Sequence, residues 1–374
     1  MFTKKFFKGF SVFIASAILS LSTVQSAYAA PGTLATAPLF LSTIVEPNVF
    51  FTLDDSGSMA WVTIVEDQTA GFATSPGTGM PLLNGDRLGY WHPTWPESLK
   101  PYAKTVPPAT VNANGWQDTW VFRTHHGNAL YYNPAKTYRP WAGTKADGTP
   151  MFVDAVETAV KQDPVNGTRT VNLTQRFNYG GYNNVLYLPT YYIWLDDGDG
   201  ILEKDDPKQM VEITPGTPEM QNFANWFQYY RSRMNTTKAA IGQVINNTDA
   251  SRMGLAVFNK TAMRKYSKTM SDITLKRELL EEFYATAEET YTPARQALKR
   301  VGEHFKSTGS DAPILPAAQG GECQQNFNVL LTDGYWNRNS PGVGNTDTDG
   351  PGPYDGGKYA DDYSNTLADV AMKY

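Results

Sequence analysis

A short apolar stretch that runs straight into small, oxygen-bearing residues constrains this chain more than any other feature. Residues 49–53 (Val-Phe-Phe-Thr-Leu) are β-prone and too few for a helix, so they predict a buried strand. Asp54, Ser56 and Ser58 follow at alternate positions. Gly57 permits the tight turn that lets both hydroxyls face the side of Asp54. Because ligand sites in open α/β sheets form outside the carboxyl ends of the strands, this stretch predicts an α/β fold with such a site.

The chemistry of these side chains indicates the class of ligand. A carboxylate and two hydroxyls are hard oxygen donors, which suit Mg²⁺ or Mn²⁺ and are too few to fill the ion's coordination shell. The stretch therefore predicts a divalent cation with coordination positions left open.

Alternating strand and helix signals later in the chain define the fold class. Apolar residues at three- and four-residue spacing predict a helical stretch over 219–245, closed by Asn246-Asn247. Further patterns predict a strand at 253–258, helices at 273–287 and 293–306, and a second buried strand at 327–331. Since strands that alternate with helices form parallel sheets, we expect an α/β domain with a doubly wound, mostly parallel sheet over 48–374.

The stretch between the first strand and its helix has a different composition. Residues 61–218 are rich in Gly, Pro, Asn, Tyr and Trp, with turn signals such as Asn84-Gly85 and Asp147-Gly148. Between the turns lie short β-like pieces at 120–123, 130–132, 170–173 and 191–195. We therefore expect a large, mostly irregular and β insertion after the first strand.

Several stretches resemble the PilC/PilY family of type IV pilus assembly and tip-adhesion proteins. They span most of the chain, at 38–41 with 47–59, 129–141, 219–242, 326–337 and 364–372. The motif Asp54-x-Ser56-x-Ser58 after a buried strand is also similar to the metal-ion-dependent adhesion site (MIDAS) of von Willebrand factor A (VWA) domains. The resemblance implies a metal-dependent cell-adhesion and pilus-assembly protein. A structural pilus assembly factor with a degenerate, ion-free VWA fold is the alternative.

The same resemblance implies two further cation ligands. Asp333 follows a buried strand, although an Asp-Gly turn is an ordinary way to end one. Thr292 precedes a proline at the start of a helix, where it would also serve as an N-cap. Thr290 competes with Thr292, because Tyr291 stands where the family usually has glycine. The implied set that holds Mg²⁺ or Mn²⁺, directly or through water, is Asp54, Ser56, Ser58, Thr292 and Asp333. A partner's carboxylate would complete the shell.

An acidic loop at 196–206 is a candidate for Ca²⁺. Asp197, Asp199 and Asp206 fall at positions 3, 5 and 12 of an EF-hand-type loop. Leu195 would occupy position 1 and cannot coordinate an ion. A solvated Asp/Gly hairpin turn is the alternative.

A second acidic loop follows Asp333 along the chain and is expected to border the main site. Asn345, Asp347 and Asp349 match positions 1, 3 and 5 of a Ca²⁺ loop, whereas Gly356 stands at position 12, where an acid is required.

The first residues predict export. Lys4, Lys5 and Lys8 precede an apolar stretch at 10–21, and Ala27-Tyr28-Ala29 fits a cleavage site, so 1–29 is a predicted signal peptide. An N-terminal membrane anchor is disfavoured because the apolar run is shorter than the ~20 residues of a spanning helix. An extended, proline-punctuated lead-in is expected at 30–47. With the family resemblance, this places the protein in the periplasm, at the outer membrane or cell surface, or at the pilus tip.

Charge and cysteine content restrict the partners further. The net charge of −5 becomes −8 after removal of the signal peptide, which argues against nucleic acid. Cys323 is the single cysteine, so it is either free or paired with a residue outside this chain. Residues 364–374 predict an uncapped helix that stops in mid-pattern, which is typical of a piece of a longer protein. The expected partners are pilus components or a host or surface protein.

Catalytic signals are absent from the sequence. It contains no Gly-x-Ser-x-Gly, phosphate-binding or His-Glu-x-x-His motif, so we expect no enzyme. A metal-dependent hydrolase would require a general base near Asp333, and none is evident. His125-His126 lacks a nearby acidic or cysteine cluster, and on a strand the two rings would point apart.

Overall fold

The computed structural model describes residues 45–62, 64, 120, 123–165, 168, 170–178, 186–202, 206–348 and 357–374, and the backbone of short strands between 73 and 87. The chain divides into two units, Met1–Ile44 and Val45–Tyr374, and the first lies outside the described residues. The predicted signal peptide therefore lies outside them, as does most of the lead-in.

Strands are the more numerous elements but most of them are very short. The strands are β1 (Asn48–Leu53), β2 (Ala73–Thr74), β3 (Pro81–Leu83), β4 (Asp86–Arg87), β5 (Val160–Lys161), β6 (Thr170–Val171), β7 (Phe177–Asn178), β8 (Leu186–Tyr187), β9 (Thr190–Trp194), β10 (Lys208–Glu212), β11 (Arg252–Val257), β12 (Lys265–Thr269) and β13 (Asn326–Leu331). The helices are α1 (Pro218–Tyr229), α2 (Arg233–Asn247), α3 (Ile273–Tyr284), α4 (Ala294–Phe305) and α5 (Leu367–Lys373). In this described part of the chain, no helix is long and apolar enough to cross a membrane.

One four-stranded sheet organises the C-terminal half around β1. Its strand order is β12-β11-β1-β13. All six residues of β1 pair in parallel with β11 on one side and with β13 on the other. The edge strand β12 pairs antiparallel with β11, and the sequence analysis did not predict it. The expected mostly parallel α/β sheet is confirmed. The burial predicted for the strand at 327–331 is corrected, because β13 lies at the edge of the sheet and its residues are exposed or half-buried.

Alternate residues of β1 serve opposite faces of this sheet. Phe51 and Leu53 belong to a core that includes Ile245 of α2 and Phe283 of α3. Phe50 belongs instead to a cluster with Val301 of α4. Since successive side chains of a strand point to opposite faces, α2 and α3 cover one face and α4 covers the other. The carboxyl ends of β1 and β13 are left at an edge between these layers.

The helical stretch predicted over 219–245 is two helices, so its continuity is corrected. Thr217 caps α1 by accepting a hydrogen bond from Met220 N, and Ser232 caps α2 by accepting one from Asn235 N. The apolar spacing continues across residues 230–232 because both helices pack inward. The new cap, rather than a glycine or proline, marks the break.

The segment between β1 and α1 has little regular structure. Its described strands pair only in short antiparallel groups, such as β9 with β10 and β5 with β6. The pieces predicted at 191–195 and 170–173 correspond to β9 and β6. The described residues of 120–123 and 130–132 are 3-10 helical, turn or irregular and not strands, which corrects that prediction. There Leu130 O accepts a hydrogen bond from the indole of Trp226 rather than from a neighbouring strand.

The last helix is capped, contrary to expectation. Thr366 Oγ1 accepts a hydrogen bond from Asp369 N, and the Asp369 carboxylate accepts one from Thr366 N. This is a capping box with Asp in the position usually held by Glu or Gln. The capping box was missed because its usual signature has Glu or Gln at this position, and their side chains are one carbon longer than that of Asp.

Candidate metal centre

The loop after β1 is shaped by hydrogen bonds from its own residues. Asp54 and Ser56 are buried, and Ser56 N donates to Asp54 Oδ1 at 2.8 Å. A 3-10 turn at Gly57–Ala60 follows. A Cβ on Gly57 would lie 3.2 Å from Glu289 O, so the glycine permits a close approach between two loops. The expected reversal of the chain after Asp54 is present.

Hydrogen bonds link four of the five predicted ligands, and Asp54 joins the side-chain series through the backbone N of Ser56. Ser56 Oγ lies 3.0 Å from Ser58 Oγ, and Ser58 Oγ donates to Asp333 Oδ1 at 3.0 Å. Thr332 Oγ1 donates to Asp54 Oδ2 at 2.7 Å. The parallel register of β1 and β13 therefore brings these side chains together across 275 residues of sequence.

Arg233 is a member of this group that sequence reasoning missed. It is the first residue of α2, and its NH1 donates to Asp333 Oδ2 at 2.6 Å. The side chains of this ion pair are 13% and 11% exposed, so solvent screens it little. The guanidinium also lies over the Trp61 ring, 4.9 Å from its centroid. An arginine at a helix start carries no local signal that would identify it as a site residue.

Asp55 is a second missed residue, and it ties the loop to a third strand. Its Oδ1 accepts hydrogen bonds from Asn259 N at 3.0 Å and from Asn259 Nδ2 at 2.7 Å, just beyond β11. Its Oδ2 is buried without a hydrogen-bond partner. Burial raises the pKa of Asp55 to about 6, and the negative charge of Glu289 acts in the same direction. The consecutive acids Asp54-Asp55 were the available signal.

Thr292 is held beside the loop that follows Asp333. Thr292 N donates to Asn337 Oδ1 at 2.9 Å, and Asn337 N donates back to Thr292 O at 2.9 Å. The N-cap of α4 is Pro293, with no side-chain cap bond, so the N-cap role expected for Thr292 is corrected. Thr292 is buried, whereas the competing Thr290 is exposed. Among the described hydrogen bonds, none joins the Thr292 hydroxyl to the other predicted ligands.

The donor chemistry of this group fits a divalent cation. Burial raises the pKa of Asp54, and the charge of Asp333 adds to the effect, while hydrogen bonds from Ser56 and Thr332 oppose it. Two carboxylates close together and shielded from water require positive charge nearby. Hard oxygens from Asp54, Ser58 and Asp333 are the ligands that Mg²⁺ and Mn²⁺ prefer. Arg233 supplies part of the required charge from one side.

Curated relatives of this chain bear the name type IV pilus biogenesis factor PilY1 and come from Pseudomonas aeruginosa. The relative from strain PAK is 27% identical over an alignment of 394 residues, gaps included, that covers 95% of this chain. The relative from strain UCBPP-PA14 is 26% identical over an alignment of 401 residues, gaps included, that covers 98% of this chain. The resemblance to the PilC/PilY family is confirmed.

The PilY1 relatives are much longer than the matched region. This chain spans 30% of the length of each of them. No family model matches the chain. No solved structure matches it either. The VWA resemblance therefore rests on Asp54-x-Ser56-x-Ser58 and its setting at the end of β1.

Three carboxylates of the acidic loop at 196–206 lie close together. Carboxylate oxygens of Asp196, Asp197 and Asp199 lie within 4.8 Å of one another, and all three residues are exposed. Asp206 is buried and accepts a hydrogen bond from Trp194 Nε1 at 2.7 Å, and the EF-hand register that includes it stays a prediction. Asp196 Oδ1 accepts hydrogen bonds from the backbone of Gly198 and Gly200, the pattern of a solvated turn.

Among the described hydrogen bonds, none joins the remaining predicted residues to the group around Asp54 and Asp333. Asn345 and Asp347 lie in a loop next to α5, and Asp349 lies outside the described residues. His125 and His126 have ring centroids 4.0 Å apart, so the expectation that the rings point apart is wrong, because these residues occupy a turn. Burial, with help from neighbouring positive groups, lowers the pKa of His125 to about 4. Cys323 is free and exposed.

Proposed function

We propose that this chain belongs to an exported protein that supports type IV pilus assembly and attachment, and that it binds a partner through a divalent cation on a VWA-like domain. The observation that carries the proposal is the hydrogen-bonded series Ser56–Ser58–Asp333 beside Asp54 at the carboxyl ends of two neighbouring strands. The name of the PilY1 relatives supports the connection to the pilus.

In the proposed mechanism, Asp54 and Asp333 provide the negative charge that holds Mg²⁺ or Mn²⁺. Ser56 and Ser58 provide hydroxyl oxygens, and Thr292 contributes directly or through water from the opposite loop. When bound, the cation would offer an open coordination position to a carboxylate of the partner. Thr332 holds Asp54 Oδ2 at 2.7 Å, which fixes the carboxylate before the ion arrives. This chemistry is ligation without turnover.

The alternative is a structural pilus assembly factor whose fold works without an ion. The observation in its favour is the Arg233–Asp333 ion pair, which already compensates one of the two carboxylates. In that case the hydrogen-bonded series Ser56–Ser58–Asp333 would serve only to join the loops after β1 and β13.

The proposed partners are pilus components or a host or surface protein that presents an exposed acidic side chain. The predicted signal peptide at 1–29 would export the protein. We place it at the outer membrane, the cell surface or the pilus tip, with peripheral rather than spanning attachment. The acidic charge balance leaves nucleic acid out of the proposal.

A double substitution tests the cation. Asp54→Ala with Asp333→Ala removes both carboxylates, and neutral hydroxyls alone do not hold Mg²⁺. Calorimetric titration of the full-length protein with Mg²⁺ and Mn²⁺ should show this binding lost. Asp311→Ala, which removes an exposed acid, is the control and should titrate like the wild type. Unchanged titrations in a folded double variant would contradict the proposed site.

A milder substitution separates adhesion from scaffolding. Ser58→Ala removes one hydroxyl while leaving both carboxylates and the sheet in place. We expect attachment of the bacteria to fall while pilus counts and the circular dichroism of the purified protein stay normal. Normal attachment in a variant that no longer binds Mg²⁺ would instead favour the structural alternative.

A further inference from the structure

Two buried oxygens in the loop before α5 have no hydrogen-bond partner. They are Asn345 Oδ1 and Asp347 Oδ1. Asp347 is 2% exposed, so its carboxylate is almost wholly removed from water. A buried polar oxygen without a partner is costly, and a buried carboxylate is far more so unless a positive charge compensates it. The pair occurs on alternate residues of one loop, and neither residue belongs to the set predicted for the adhesion site.

The free atom of Asn345 is its oxygen rather than its nitrogen. Asn345 Nδ2 donates to Asp361 O at 2.7 Å. Exchanging the two amide atoms would set the side-chain oxygen against this carbonyl, which repels it. The hydrogen-bond network therefore fixes Oδ1 as an unused acceptor on the other side of the amide.

In the part of the chain that the structure describes, no side-chain cation accounts for the burial of Asp347. Within the described residues, no lysine, arginine or histidine forms an ion pair or hydrogen bond with its carboxylate. The neighbouring Asp369 shows the contrast, because its carboxylate accepts bonds from Thr346 N at 2.6 Å and from Thr366 N at 2.7 Å. Asp369 is satisfied by the protein, whereas Asp347 is left with a free oxygen.

The loop is held firmly around these oxygens. Val343 N and Gly344 N both donate to Asn365 Oδ1, at 2.8 and 3.0 Å. Asn365 N donates to Gly344 O at 2.9 Å. Thr346, which lies between the two residues in question, is bound to Asp369 through its backbone N. The contacts that fix the loop are thus made by its other groups, and they leave Asn345 Oδ1 and Asp347 Oδ1 unused.

We infer that Asn345 and Asp347 are ligands of a bound Ca²⁺ ion. An amide oxygen and a carboxylate are both hard donors, and Ca²⁺ accepts six to eight oxygens in flexible geometry, including water and backbone carbonyls. Mg²⁺ fits less well, because it requires near-ideal octahedral geometry. The ion would fasten the loop at 343–347 to α5, whose Leu367 packs against Phe258 and Ala294. This inference does not depend on the proposed adhesion site.

Calcium titration of the full-length protein tests the inference. Asp347→Asn keeps the shape of the side chain but removes its charge, so Ca²⁺ affinity should fall at least about tenfold. Asp362→Asn, which alters an exposed acid of the nearby segment, is the control and should leave the affinity unchanged. Asp54→Ala with Asp333→Ala should also retain this Ca²⁺ binding, so the two proposals can fail separately.

Two further variants test whether calcium binds at the exposed acidic turn instead and guard against a variant that does not fold. Asp197→Asn with Asp199→Asn should keep the calcium affinity, whereas loss of binding there would assign it to the exposed acidic turn and overturn the inference. If Asp347→Asn does not fold, Asn345→Ala replaces it, with the same loss expected.

Limited proteolysis of the wild type should show slower cleavage in residues 357–374 when Ca²⁺ is added. Wild-type affinity in Asp347→Asn or Asn345→Ala, or proteolysis indifferent to Ca²⁺, would overturn the inference.

Discussion

The sheet around β1 and the segment at 120–213 are stabilised in different ways. In the sheet, β1 is bonded along its whole length to β11 and β13, and apolar side chains fill both faces. In the segment, strands such as β5 and β7 are only two residues long. There the contacts that matter are made by individual side chains of α1.

Two residues of α1 illustrate how the segment is held. Trp226 Nε1 donates to Leu130 O at 2.9 Å, and its ring lies 5.0 Å from that of Tyr131. Asn225 Oδ1 accepts a bond from Ala155 N at 2.8 Å, and Asn225 Nδ2 donates to Tyr138 O at 3.0 Å. Side chains of one helix thus do for this segment what neighbouring strands do for β1. A single substitution on α1 should therefore disturb more structure than one on a helix that only covers the sheet.

The largest expected effect is that of Trp226→Ala. It removes a buried ring and the bond to Leu130, so the free energy of unfolding should fall by about 3–5 kcal/mol. Chemical denaturation measures the change. The control is Val244→Ala on the exposed side of α2, which should change stability by less than about 0.5 kcal/mol. Equal effects of the two substitutions would break the comparison.

Asn225→Ala tests the polar part of the same attachment. The substitution leaves Ala155 N and Tyr138 O without their partner, which should cost about 2–3 kcal/mol. Asn247→Ala, at the exposed end of α2, is the matched control and should be nearly neutral. Hydrogen exchange should locate the loss of protection in residues 138–155 rather than in β1. Loss of protection spread evenly over the sheet would contradict the idea of a locally held segment.

Arg233→Met tests how the negative charge of Asp333 is compensated at the edge of the sheet. Without Mg²⁺, Asp333 loses its compensating charge, and stability should fall by roughly 1–2 kcal/mol. The effect on Mg²⁺ affinity should be the opposite: removal of the positive charge near Asp333 should tighten Mg²⁺ binding several-fold. Arg277→Met, which breaks a surface pair with Glu281 at 3.9 Å, should change neither quantity measurably. Weaker Mg²⁺ binding in Arg233→Met would show that the arginine helps to hold the ion site rather than competing with it.

The smallest expected effect is that of Thr366→Ala. It removes the capping bond to Asp369 N, so stability should fall by about 1 kcal/mol. Denaturation of the variant should report a small shift of the whole transition. A loss comparable to that of Trp226→Ala would mean that α5 supports far more of the molecule than its seven residues suggest.

The sequence predicted best where one local pattern decides the structure. The strands at 49–53 and 327–331 were found because they are apolar and short, and the site residues Asp54 and Asp333 follow directly from their ends. The edge strand β12 was missed because its sequence is mostly polar. Only Ser267 within it is buried, so the strand has no need of an apolar pattern. Arg233 and Asn259 were missed because their roles depend on contacts across 100 or more residues. No local signal records such contacts.

The position of β1 at the centre of the sheet has a consequence for the order of folding. Asn48 pairs with Arg252 on one side and with Asn326 on the other. As the chain is made from its N-terminus onwards, the segment at 120–213 can form its contacts with α1 as soon as that helix is complete at residue 229. The apolar strand β1 must wait for residues more than 200 positions later, and closing such long loops slows folding. Until then its Phe-Phe pair is exposed to aggregation, so the residues that later form the centre of the sheet are those that most need protection while the rest of the chain is made.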